Sequence, residues 1–557
     1  MFALGRLSGH PLAALAALIR STPLRLTAAR ALRAQLGIDA ARALPASARG
    51  PLPTSHAPLR ARGDHRRPSR ELGRPSVGAW PRTTASYTEA FRLGRVPVDE
   101  IVRRSLAAAR SFAAHVPTLG PLCDYADERA RQAAQLSQTL WREGRARGEL
   151  EGVPIAVKEE LDVEGMSTRM GTSFMPYHPA AADAVCIARL RQHGISVIGQ
   201  TPMTEYGMST LGTNANRRMP RNAHDPARLP GGSSSGSAVA VALGVVPLAI
   251  GCDGGGSVRV PAAYNGVFGL KPTYGRVPLV GQGSPGTTSV VHIGPFAGTS
   301  TDLALGLEAM AGADARDEIS VLQPELARGE LLEALGRGVS GLRIGVDEVE
   351  WQEAAADTAG PCRAALDALE REGAEIVPLR VEITSHAAAI GYLTIALEAY
   401  AGLRQVRSEH ERELGYDMQI LLAGLDAFAP DDYLDAQRLR STLRLEMAET
   451  LRQVDVVALP TAGNSAPPIN DDESHSGIID PPALHAACRF AFLGNLTGLP
   501  AASIPVGTDA LGLPVGLQII GDAWDEACVL QVAAALERSG AAQVIKPQAA
   551  VDLLADA

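Results

Sequence analysis

Along this chain, stretches whose apolar residues recur every three to four positions alternate with short runs that are apolar throughout. Helical spacing covers Tyr87 to Leu93, Val98 to Ala113 and Ala126 to Arg145. The apolar run Gly152 to Val157 ends in Lys158 and reads as a buried strand, followed by a turn around Asp162 to Gly171. A helix from Asp183 to His193 and a strand from Ser196 to Ile198 come next. Small apolar residues from Ala238 to Leu243 make the body of another helix, with Ser233, Ser234 and Ser235 placed to cap its first turn. Val246 to Ile250 reads as the following strand, and Thr287 to Ile293 is also β-like. Farther on, the pattern predicts a helix over Ser300 to Ala311, a strand over Leu342 to Val346, and helices over Thr358 to Arg371 and Ser385 to Glu409. Strands over Ala501 to Val506 and Leu517 to Ile520 and a helix over Asp525 to Ser539 close the chain. Strands alternating with helices in this way predict an α/β fold built on one large layered core.

Residues 1–84 break the pattern. They hold 14 arginines, no lysine, and only Asp39, Asp64 and Glu71 as acids. Leu12, Leu15 and Ile19 share one helical face, a second helix fits Thr27 to Leu36, and a Pro/Arg/Ser-rich linker runs from Leu44 to Pro81. A signal peptide would use the apolar run Pro11 to Ile19, but Arg20 and Arg25 follow it and no clean cleavage site stands out. An Arg-rich transit peptide, or an extension that packs its helices on the main domain or stays partly loose, are the other readings. The division is therefore an extension over 1–84, a main domain over 85–545 and a tail over 546–557.

Composition narrows the class. Of 557 residues 46% are hydrophobic, no apolar run approaches 18 residues, and the net charge is −9. That describes a soluble globular chain with no membrane span and no polybasic case for nucleic acid. The six cysteines are scattered without a CxxC pair, which argues against a zinc site or a disulfide framework and suits a reducing, cytoplasmic compartment. Asp471, Asp472 and Glu473 read as a solvated acidic loop rather than a metal site.

The chemistry concentrates between Pro230 and Pro272. Gly231 and Gly232 open a run of serines, and Gly254, Gly255 and Gly256 precede Ser257. A helix and a strand between the two clusters can fold them back together, bringing two hydroxyl nucleophiles and a set of bare amides able to face an oxyanion to one point. The base is supplied upstream. Only Lys158, Lys271 and Lys546 are lysines among the 52 basic residues, so a lysine at the end of a buried strand stands out. Lysine can surrender its proton when desolvated, arginine cannot, and a neutral amine serves as a general base.

With these residues the sequence resembles the amidase signature family of Ser-Ser-Lys hydrolases, over roughly Ser86 to Ser539. The matching segments are GVPIAVKE ending at Glu159, Asp225 to Ser234, Gly255 to Ala262, Gly269 to Thr273, Asn495 to Ala501 and Gly512 to Gln518. The resemblance implies a large mixed β-sheet flanked by helices on both sides. It implies Ser257 as nucleophile, Ser233 as a bridging serine in a cis peptide and Lys158 as base, with the two serines 24 positions apart. Amides of Gly254, Gly255, Gly256 and Ser257 would form the oxyanion hole, Asp253 and Arg259 would brace the turn, and Ser234 would support the hydroxyl network. The family usually has Thr where Gly254 stands, and here Cys252 precedes Asp253. Glu205 matches a family acid and reads as structural. Residues from about 310 to 450 match nothing residue by residue; such regions vary in the family and shape the acyl pocket.

The implied activity is hydrolysis of a carboxylic amide C–N bond through an acyl-enzyme, releasing ammonia or an amine. No metal or organic cofactor is required, the partner is a small-molecule amide, and a homodimer is possible. Two alternatives stay open: the glutamine-hydrolysing component of a tRNA-dependent amidotransferase, and a non-enzymatic binding protein on a retired scaffold. Gly232 to Gly236 also fits G-x-S-x-G, but Pro226 and Pro230 stand where that motif needs a strand. Gly281 to Gly286 fits G-x-G-x-x-G, yet Pro285 and the β-like run behind it are no helix start.

Overall fold

The computed structural model describes residues 5–19, 22–61, 71–75, 80, 82–284 and 289–555, with the side chains of 22–24 excepted. Within them, eleven strands form one mixed sheet. From edge to edge they are Asp124–Tyr125, Ser196–Thr201, Pro154–Lys158, Leu248–Asp253, His292–Ala297, Phe268–Lys271, Ala501–Thr508, Pro514–Gly521, Val456–Pro460, Arg343–Val346 and Glu375–Pro378. The strand 154–158 is parallel to both of its neighbours, the centre of the sheet is antiparallel, and the last three strands are parallel again. Strands 154–158, 248–253 and 514–521 are buried at every position. Burial at odd and even positions alike means that both faces are covered, which is why these runs are apolar without alternation.

The strand expected over 246–250 runs instead to Asp253, because Gly251, Cys252 and Asp253 continue the ladder opposite Gly294, Ile293 and His292. The serines before the next helix do not cap it. Helix Ser235–Ala242 has Ser234 at its N-cap with no side-chain cap bond. The Ser234 hydroxyl instead donates to the Cys252 carbonyl at 3.1 Å and accepts the Cys252 N–H at 3.3 Å, tying helix to strand. Gly251 permits this, since a Cβ there would lie 2.7 Å from Ser234 Oγ. The single helix expected over 385–409 is broken into Ala387–Gly402 and Arg404–Glu409, ending its first part at a poor helix former.

The basic N-terminal segment is docked. Helices Gly9–Leu18 and Thr22–Gln35 lead it, and Leu12, Ala16, Ile19 and Ala28 pack on Ile420 and Ala423. Leu7–Ser8 pairs antiparallel with Ile478–Ile479. Arg6 bridges Glu473 at 2.6 Å and Asp480 at 3.3 Å, Arg42 meets Asp432 at 2.9 Å, and Arg444 donates to the Ser55 carbonyl at 2.9 Å. Arg6 and Arg42 of this segment thus answer acids of the 430–480 region. The same contacts correct the reading of Asp471 to Glu473. They lie in a short helix, Asp471–Ser476, and while Asp471 is exposed, Glu473 is buried as the counter-ion of Arg6. Residues 62–70, 76–79 and 81 of the expected linker, and 285–288 with the start of the expected strand at 287, lie outside the described residues. Among the described residues no helix is long and apolar enough to cross a membrane.

Candidate active site

Strands 154–158 and 248–253 are adjacent and parallel, with Val157 opposite Ile250. Their C-terminal ends leave the sheet side by side, where α/β sheets commonly place ligands. Lys158 ends one and Asp253 the other. Lys158 Nζ donates to Ser233 Oγ at 2.7 Å and to the Cys252 carbonyl oxygen at 3.5 Å, with Lys158 only 1% exposed. The Gly232–Ser233 peptide is cis. Ser257 is brought alongside through the backbone: the Ser234 N–H donates to the Ser257 carbonyl at 3.3 Å. The Ser233 and Ser257 hydroxyls themselves share no hydrogen bond in this structure.

Asp253 and Arg259 brace the glycine turn between them. Arg259 is fully buried and reaches Asp253 at 2.9 and 3.0 Å, Asn495 Oδ1 and Gln518 Oε1 at 2.6 Å, and the Ala491 carbonyl at 2.7 Å. Burial alone would raise the Asp253 carboxyl. The charge and hydrogen bonds of Arg259, aided by Asn495, outweigh it and hold the group far below the usual carboxylate range. Asp253 also accepts the backbone N–H groups of Gly256 at 2.7 Å and Val258 at 3.1 Å. One expected oxyanion donor is thereby corrected: the Gly256 amide points at Asp253. The amides of Gly254, Gly255 and Ser257 carry no such bond.

Ser257 and Gly255 open onto a large cavity whose wall is mostly apolar, including Ile395, Met418, Leu421, Phe428 and Phe492. Leu32, Leu36 and Ile38 from the N-terminal segment line the same cavity. Glu205 lies in the wall too, where burial pushes its carboxyl up to about 7 against hydrogen bonds from the Gly415 N–H and Asn216. Both its oxygens are thus partnered, in line with a structural role. Among the described residues no group of three or more His, Cys, Asp or Glu side chains is arranged to hold a metal ion.

Three contributors are missing from the sequence reading: Glu160 beside Lys158, the loop at Gln282 and Ser284 that holds Glu160, and the N-terminal cavity wall. The double acid after Lys158 was a signal for the first. Nothing local signals the others.

A sequence profile described as Amidase matches residues 100–530. The chain is 34% identical to a fatty acid amide hydrolase of Medicago truncatula, over 81% of this chain and 75% of that one. A second relative, also 34% identical, belongs to the glutamyl-tRNA(Gln) amidotransferase of Anaeromyxobacter sp. (strain K), whose A component it forms; the match spans 79% of this chain and 92% of that one. The solved peptide amidase from Stenotrophomonas maltophilia superposes with a TM-score of 0.71 at 28% identity, covering 84% of this chain and 99% of that one. The likenesses in sequence and fold agree on the class, a hydrolase acting on amides. The chain belongs to the amidase signature family.

Proposed function

We propose that the protein is a stand-alone amidase in which Ser257 attacks an amide carbonyl, Ser233 relays the proton and Lys158 receives it. The observation that carries this reading is the buried 2.7 Å hydrogen bond from Lys158 to Ser233, next in sequence to Ser234, whose N–H holds the carbonyl of Ser257 in the wall of an apolar cavity. A serine hydroxyl is a weak nucleophile until a base removes its proton. As the Ser257 Oγ–carbonyl bond forms, the Ser257 proton passes to Ser233 and a Ser233 proton to Lys158. The oxyanion falls to the free amides of Gly254, Gly255 and Ser257, aimed before the reaction begins. Collapse breaks the C–N bond as the proton returns through Ser233 to the leaving nitrogen, and water then releases the acid from Ser257.

The cavity lining favours an apolar acyl group, and the resemblance to fatty acid amide hydrolases points the same way. Each methylene buried there contributes about 0.8 kcal/mol. A glutamine side chain would find little of its polarity answered in such a wall, which weighs against the amidotransferase reading. A retired scaffold is disfavoured by the joint presence of Lys158, Ser233 and Ser257.

Intact mass after exposure to a phosphonyl fluoride, for wild type and Ser257→Ala, tests the proposal. One adduct mapped to Ser257 and absent from the variant is expected, with hydrolysis of long-chain acyl amides in preference to glutamine. An adduct on Ser234, or none, would sink it, and ammonia release from glutamine alone would favour the amidotransferase reading.

A further inference from the structure

Lys158 has a second polar neighbour besides Ser233. Two residues on, Glu160 folds back so that its Oε2 lies 2.5 Å from Lys158 Nζ, with Lys158 1% and Glu160 3% exposed. Glu160 Oε1 accepts from Ser284 Oγ and Gln282 Nε2, each at 2.5 Å, and the Gly283 N–H donates to the Glu160 carbonyl at 2.8 Å. One carboxylate oxygen is thus anchored by the loop. The other oxygen is left to Lys158, with the Cys252 thiol nearby.

We infer that Glu160 is a positioning residue for Lys158, aiming the amine's lone pair at Ser233 and balancing the ammonium that forms when the amine takes the proton. The inference rests on the Ser257–Ser233–Lys158 reading above. Three oxygens surround Lys158 Nζ: Glu160 Oε2, the Cys252 carbonyl and Ser233 Oγ. A neutral amine has two N–H bonds and one lone pair. With the N–H bonds turned to Glu160 and Cys252, the lone pair is left for the Ser233 O–H. During acylation one proton moves from Ser257 to Ser233 and one from Ser233 to Lys158. The Lys158–Glu160 pair passes from one negative charge to none, then back as the leaving nitrogen is protonated. Without Glu160 the ammonium would form in the core unpaired, which buried charge resists.

The other titratable groups facing the pair are thiols. Cys252, from the adjacent strand, meets both Glu160 and Lys158, and Cys186 lies behind it. Burial raises Cys252 well above the usual thiol value and pushes Cys186 up to about 12, so both stay neutral across the working range. Glu159 turns away to Arg217 and Arg169. Burial acts to raise the Glu160 carboxyl, but the Lys158 charge and the Ser284 and Gln282 donors outweigh it and hold it below its ordinary value. The relay therefore runs from the state in which the Lys158 amine is neutral and its lone pair is free for the Ser233 proton.

The test is the rate of phosphonylation of Ser257 between pH 5 and 9.5 for wild type, Glu160→Gln and Glu160→Asp, with the adduct site mapped. A carboxylate this close favours the protonated amine, so its removal should move the acid limb of the profile to lower pH by about 1–3 units. The plateau should fall by about 10²-fold as the lone pair loses its aim. Glu160→Asp, which keeps the charge but withdraws it, should shift the limb the same way by less, and it carries the test should Glu160→Gln fail to fold. A limb that stays in place while the rate falls would mean that Glu160 only supports the fold, and an unchanged rate and limb would also overturn the inference. Wild type that is not labelled on Ser257 would instead overturn the catalytic reading beneath it.

Discussion

Asp253→Asn is the sharpest perturbation of the glycine turn. The substitution conserves shape but leaves Arg259, fully buried, without its anion, and sets a new N–H₂ group among donors. Asp253 accepts from Gly256, Val258, Arg259 and Asn495, so an amide in its place must face at least one of them donor to donor. Removing one partner of a buried pair costs about 3–5 kcal/mol, and leaving buried donors unpaired accounts for part of that figure rather than adding to it. Against a typical total stability of roughly 5–15 kcal/mol, the loss is large. Denaturant unfolding at pH 7 should show it as a lower midpoint with an unchanged slope. The Asp253 carboxyl is held below its unfolded value, so its contribution is complete above about pH 4 and drains away as pH falls toward the folded value. Variant and wild type should therefore converge below pH 4. Pairing the change with Arg259→Gln should recover part of the loss, because no lone charge then remains. A single variant within about 1 kcal/mol of wild type, or a strictly additive double variant, would refute the reasoning.

Two further outcomes follow from the cavity and the turn. Leu36→Trp should shorten the accepted acyl chain: loss of about two buried methylenes, at about 0.8 kcal/mol each, lowers kcat/KM for the longest amides about 15-fold and leaves short ones unchanged. A uniform effect across chain lengths would remove Leu36 from the acyl site. Gly256→Ala should destabilise the protein by about 2–3 kcal/mol, since φ is +114° and the new Cβ would stand 2.7 Å from Ala491 Cβ and 2.9 Å from Val260 Cγ2. A midpoint matching wild type would show that the turn is softer than its contacts imply.

What could be read in the sequence was local. Lys158 stood out because lysine is scarce, and the two serine clusters because glycine surrounds them. The strands of the site were legible from uninterrupted apolar runs, which continuous burial explains. The strand reaching Asp253 was not, because Gly251, Cys252 and Asp253 carry no strand signal and owe their state to the distant partner at 292–294. Glu473 looked solvated because its counter-ion, Arg6, is 467 residues away. Glu160 was hidden for the same reason: what turns it toward Lys158 is a loop at 282–284. The Leu36 wall depends on a docking held by ion pairs across most of the chain.

The scarcity of lysine also makes the folded surface chemically selective. Lys158 and Lys271 are sealed in the core, Lys271 between the carbonyls of Pro272 and Leu499, while Lys546 is exposed and sits 4.8 Å over the Trp80 ring. An amine-seeking dye, cross-linker or resin thus finds a single side-chain handle, and any support grafted through it holds every molecule in one orientation. The arginines around it stay charged and inert through the alkaline conditions such coupling uses.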